Sequence, residues 1–207
     1  MHLDFSGLLG QAWSIFKEKW GKILGFFFVF FLIEMLAQWP ISMADSAGAS
    51  EAFLAILNIA LWFFDVFISA GFVSAVLKIS RQQDFAIADI FSKAEVFWRY
   101  LGGSLLFGLI VVAGTVFLIV PGIYLALTYW PIYYLIIDKG MSICEAFKAA
   151  KQMTMGTKWT MFLFQLMMLA LIILGAIPLG LGLIIVIPVM TIASTLIYNK
   201  LVERLTV

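Results

Sequence analysis

Two acidic residues stand where acids are rarely found. Glu34 interrupts an apolar run over 23–39, and Asp65 interrupts a second over 52–77. Glu34 lies 12 residues beyond Lys22, and Asp65 lies 13 residues before Lys78. Straight helices therefore place both carboxyls about 18–20 Å from their lysine ends. No Lys or Arg lies inside either run to neutralise them. An unpaired carboxylate in hydrocarbon is too costly to stay charged, so one or both are expected to be protonated, or to share a proton. Asn58, Asp65 and Ser69 fall on one face of the second helix, and Glu34 and Gln38 on one face of the first. Where these stripes meet, two chemistries are open. One is a proton or cation path with Glu34, Asp65 and Asn58 at its centre. The other is a polar contact that joins two helices.

Other chemistries lack their residues. The one histidine is His2 and the one cysteine is Cys144. That leaves no His-based catalytic triad, no Cys/His metal cluster and no intrachain disulfide. No catalytic residues, metal or cofactor are expected. The glycines Gly102, Gly103, Gly108 and Gly114 suggest a dinucleotide loop only superficially, because no strand precedes them and they lie in an apolar run. Close helix packing suits them better. A net charge of +1 supplies no basic field for nucleic acid. Cys144 is open to two readings, an acylation or thiol site and a small packing residue. The cluster Tyr124, Tyr129, Trp130, Tyr133 and Tyr134 is likewise open, as a ligand groove or as an interfacial belt with helix packing.

The elements that must position these residues are membrane helices. The chain is 64% hydrophobic and only 12% charged, with mean hydropathy +1.08, against about 25% charged in an ordinary soluble domain. Residues 100–137 carry no charge, and neither do 159–199. Pro121-Gly122 and Pro178 divide these stretches into pairs of spans, as Trp39-Pro40 ends the first run. The span over 123–137 is short and holds Pro131, which points to a kink or a partial crossing. Six spans result. The first is not read as a cleaved signal peptide: a 22-residue amphipathic segment would precede it, and Glu34 interrupts its core.

Between the spans lie amphipathic connections. Residues 3–20 place Phe5, Leu8, Leu9, Ala12, Trp13, Phe16 and Trp20 at helical spacing and read as a surface helix, or as the first turns of a helix bending at Gly21. A second segment, 78–99, has Asp84 as a candidate N-cap. The third opens on Ser142-Ile143-Cys144-Glu145, a capping-box spacing, and Gly156 is its expected stop. Lys17, Lys19, Lys93, Lys148 and Lys151 on these segments form either a basic collar that touches lipid headgroups or a skirt that orients the hairpins. All 13 Lys and Arg residues fall in the N-terminal segment, the second-to-third connection, the fourth-to-fifth connection and the C-terminal segment; the three opposite turns have none. By the positive-inside rule, both termini and all three surface segments are cytoplasmic.

The expected fold is thus an all-α membrane protein, a single domain over 1–207. Its six transmembrane helices form three hairpins, each preceded by a cytoplasmic interfacial helix, in units 1–80, 81–140 and 141–207. Within it, Pro121-Gly122-Ile123-Tyr124, Asp138 with Gly140, Ser142, Glu145-Ala146-Phe147 and Gly156 before Trp159 resemble the YciC-like bacterial inner-membrane proteins and the membrane domain fused to some glycerophosphodiester phosphodiesterases. The resemblance implies a multi-pass protein of the bacterial inner membrane. It does not imply the phosphodiesterase reaction, whose catalytic domain this sequence does not contain. Where that pattern usually has a basic residue after Pro-Gly, this chain has Thr128. The expected role is a non-enzymatic, lipid-associated or envelope-related scaffold with membrane lipids as partners; the alternative is a small transporter or channel built on Glu34 and Asp65.

Overall fold

The computed structural model describes residues 4–177 and 180–205. These residues form nine α-helices and three 3-10 turns, with no strand among them. His2 and Pro178 lie outside the described residues. Six stretches are long and apolar enough to cross a membrane: Trp20–Ser46, Glu51–Ser80, Ile87–Phe117, Ile119–Lys139, Lys158–Ala176 and Leu183–Val202.

Helix α1 (Phe5–Glu18) starts where Asp4 accepts a hydrogen bond from the Gly7 amide at 3.1 Å. It buries Leu8, Ala12, Ile15 and Phe16, chiefly against α9 (Leu183–Val202). Trp13 and Trp20 stay exposed, and the Lys17 ammonium sits 5.8 Å above the Trp13 ring. The apolar stripe read at the N-terminus is therefore shared: Leu8, Ala12 and Phe16 face protein, and its tryptophans face outward.

Helices α2 (Trp20–Ser46) and α3 (Glu51–Ser80) pack together. Contrary to expectation, Trp39-Pro40 does not end the first span, and α2 continues through Pro40 to Ser46. Proline removes one backbone donor, and a long apolar helix tolerates that single loss. The turn comes later, at Gly48 with φ +73° and at Ser50, which caps α3 by accepting from the Phe53 amide. Asp45, Ser46, Ser50 and Glu51 make this turn polar.

The second connection is not the amphipathic α-helix that its pattern suggests. It forms 3-10 turns at Ile87–Phe91 and Ala94–Val96. Asp84 is no N-cap; it pairs with Lys22, which holds its carboxyl below the usual carboxylate range. Asp89 acts locally instead, accepting from the Ala86 amide at 2.9 Å and from Lys78 at 2.6 Å. Phe85 and Ile90 are buried against the bundle rather than offered to lipid. This inward anchoring, with an aspartate that closes a tight turn, outweighs helical periodicity.

Helix α4 (Phe97–Phe117) gives way through one extended residue, Leu118, to α5 (Ile119–Tyr129). Pro121 occupies the first turn of α5, where its missing donor is harmless. The two helices almost touch: a Cβ on Gly122 would lie 2.9 Å from the Thr115 backbone. The chain breaks again at Trp130-Pro131 before α6 (Ile132–Lys139), as the kink reading expected. Gly140, with φ +62°, ends α6. Helix α7 (Ile143–Met153) opens on the anticipated capping box, with Glu145 accepting from the Ser142 amide at 2.9 Å and from its hydroxyl at 2.8 Å. These two bonds hold the Glu145 carboxyl below its ordinary range. Gly156 has φ +77°, and α8 (Lys158–Ala176) then packs along α9, with Gly175 against Gly182.

Candidate functional site

The structure brings the Glu34 and Asp65 side chains together across the α2–α3 pair. Both side chains are partly exposed. Asn58 does not join them. It is exposed, and its amide donates to the Leu54 carbonyl one turn back in its own helix at 2.8 Å. Helical phase places it on the same stripe, but seven residues of α3 separate it from Asp65 and its donor is already used.

The lysines divide in the same way. Lys17, Lys148 and Lys151 are exposed, whereas Lys19 and Lys93 are partly covered. Tyr129, Tyr133, Tyr134 and Trp130 pack between helices, whereas Tyr124 is exposed. Tyr129 meets Phe147 of α7 at 5.0 Å, Tyr133 meets Tyr100 at 5.5 Å, and Tyr134 stacks on Tyr198 at 4.9 Å. Thr128 is buried and donates to the Tyr124 carbonyl at 2.7 Å.

Two features escaped the sequence. The first is a groove of about 630 Å³ between α2 and α9, lined by Leu24, Phe27, Phe28 and Phe31 on one side and by Ile184 and Ile187, among others, on the other. The lining carries no charge. The second is a polar clamp where α3, α6 and α9 end together. Arg81 donates through both terminal nitrogens to Asp138, at 2.6 and 2.8 Å, and also reaches Asn199 at 3.1 Å. The Tyr198 hydroxyl donates to the second Asp138 oxygen at 3.0 Å, and the Asn199 amide donates to Ser80 at 3.1 Å. One signal was available: Asp138 belongs to the motif that carries the resemblance. Its partner Arg81 is 57 residues away, and nothing local points to it.

Residues 104–205 match the family model described as "Protein of unknown function (DUF975)". The match runs from α4 through the last 3-10 turn and takes in Asp138, Tyr198 and Asn199. No curated protein and no solved structure matches the chain. The DUF975-like region thus holds two of the clamp's three helix ends. Arg81 comes from outside it.

Proposed function

We propose that this is a non-enzymatic, multi-pass protein of the bacterial inner membrane, both termini cytoplasmic, that holds lipid as part of an envelope-related scaffold. One observation carries this reading: the uncharged groove between α2 and α9. Its size lies within the range of small-molecule sites, about 300–1,000 Å³, and its lining of Phe and Ile suits acyl chains rather than a polar solute. The bacterial inner membrane is what the sequence resemblance to YciC-like proteins suggests. Exposed Lys148 and Lys151 on α7 add attraction to anionic headgroups, about 1 kcal/mol for each suitably placed charge. Native mass spectrometry of the full chain in mild detergent is expected to show retained phospholipid. Ile184→Trp, which fills the groove, is expected to remove most of it while the thermal transition stays sharp. Equal lipid retention by both proteins would end the reading.

A second reading rests on a separate observation, the Glu34–Asp65 contact. A carboxyl pair in mid-span is the element a proton-coupled carrier needs. Asp65→Asn keeps shape and a hydrogen-bond partner but removes one ionisable group. In proteoliposomes loaded with a pH-sensitive dye, the native chain would dissipate an imposed proton gradient and the variant would not. No flux from the native chain would dismiss this reading.

A further inference from the structure

The three inter-helix turns opposite the basic connections are not alike. The first carries Asp45, Ser46, Ser50 and Glu51. The second, between α4 and α5, has no polar side chain from Val116 to Ile123. Five successive residues there, Val116 to Val120, are each 68–84% exposed. A turn that faced water would be expected to show polar groups. Two backbone bonds bridge it, from the Leu118 amide to the Gly114 carbonyl at 3.1 Å and from the Gly122 amide to the Leu118 carbonyl at 3.4 Å, and Pro121 brings no amide to satisfy.

The depth of this turn is fixed from the other side. Lys158 begins α8, and its ammonium both pairs with the Tyr124 hydroxyl and lies 3.7 Å from the centre of the Tyr124 ring. Helix α7 packs beside the same stretch. Thr154 donates to the Thr128 carbonyl at 3.1 Å, Phe147 meets Tyr129, and a Cβ on Gly102 would meet Ile143. The outer face of α7 exposes Glu145, Lys148, Lys151 and Gln152 along its whole length, so α7 lies at water. Residues 124–129 therefore sit near the headgroups, on the same side as Arg99, which donates to the Gly140 carbonyl at 2.9 Å.

From Tyr124 to the turn at Leu118 is six residues, about 9 Å of helix against a hydrocarbon core of about 30 Å. Even with the length of a lysine side chain added, the turn stops well short of the far headgroups. An upright α4–α5 pair would instead drag the Lys158 ammonium deep into hydrocarbon, at high cost. We propose that the α4–α5 hairpin does not cross the bilayer: it enters obliquely from the side that carries the basic residues and turns back at mid-depth, a wedge whose partner is the inner ends of lipid acyl chains. The helix pairs α2–α3 and α8–α9 then carry the full crossings. The chain still crosses an even number of times, so the charge partition is unchanged. The wedge depends on membrane residence and orientation, and not on lipid retention in the α2–α9 groove.

The test uses the full chain with Cys144→Ser and single cysteines at Ala47, Val116 or Val120. In intact cells, a membrane-impermeant maleimide is expected to label Ala47→Cys from outside and to leave Val116→Cys and Val120→Cys unlabelled. For depth, Val116→Cys and Val120→Cys are each labelled with a fluorophore in detergent and reconstituted into phosphatidylethanolamine–phosphatidylglycerol vesicles doped with brominated phosphatidylcholine. The largest loss of fluorescence is expected with bromine near the chain ends. External labelling of either tip position at the Ala47→Cys rate, or greatest quenching by bromine next to the headgroup, would overturn the wedge. Two tip positions guard against one substitution that disturbs folding.

Discussion

Gly71→Ala is expected to lower the melting temperature of the purified protein by roughly 6–12 °C, from an overpacking penalty of about 3 kcal/mol. Glycine at this position lets the 3-10 turn Ile87–Phe91 lie directly on α3. A Cβ there would fall 1.8 Å from the Ile90 carbonyl oxygen and 2.3 Å from its carbon. Both obstacles are backbone, so no rotamer change relieves the clash. Nor can the turn easily withdraw. Asp89 ties it to Lys78 of α3 at 2.6 Å, and the Ile90 side chain is fully buried. Gly108→Ala supplies the internal control. Nothing lies within 4 Å of its Cβ position, so alanine is expected to be neutral or to stabilise α4 by up to about 1 kcal/mol through helix propensity. Thermal unfolding of both variants in one detergent reads the contrast. Equal transitions would show that the turn does not rest on Gly71.

These two glycines show what could be read from the letters alone. Each interrupts an apolar run, and periodicity treats them alike. Only the approach of a segment that comes later in the chain separates them. Signals that act within a few residues were legible. Ser142 and Glu145 cap α7, Trp130-Pro131 breaks the helix after α5, and Gly156 stops the chain before α8. Pro40 misled because a proline in an apolar helix costs one hydrogen bond, and a span of 27 residues survives it. The connection over 78–99 misled because its apolar residues repeat at helical spacing, while Asp89 and the burial of Phe85 and Ile90 bend it into tight turns.

The candidate site divides along the same line. Glu34 and Asp65 were conspicuous because acids inside apolar runs must find a partner, and each proved to be the other's. Asn58 shared their stripe but satisfied itself on Leu54. Short polar side chains in helices often bond to the carbonyl one turn back, and helical phase cannot reveal it. The groove between α2 and α9 was beyond sequence reasoning: any two apolar helices offer such residues, and a void depends on how they cross.

Asp138→Ala is expected to destabilise the protein by about 1–2 kcal/mol, because it removes a partly covered carboxylate that satisfies three charged or hydroxyl donors. Asp138 is only 10% exposed, and Arg81 is 33% exposed. The geometry is the strong two-pronged kind, with both guanidinium nitrogens on both carboxylate oxygens. Removing the carboxylate strands more than Arg81: the Tyr198 hydroxyl, stacked under Tyr134, loses its acceptor too. Arg81→Lys separates charge from shape. It keeps the cation but loses the fork and the reach to Asn199, so an intermediate loss is expected. The double variant Arg81→Gln/Asp138→Asn leaves no charge unpaired and is expected to be more stable than Asp138→Ala despite carrying two changes. A purely additive double variant would mean that the two side chains do not act as a pair. Because the clamp gathers the ends of α3, α6 and α9, its loss should also loosen α1 from α9. Faster amide hydrogen exchange across Phe5–Glu18 in Asp138→Ala, with exchange near Gly48 unchanged, would locate the damage at that end of the bundle.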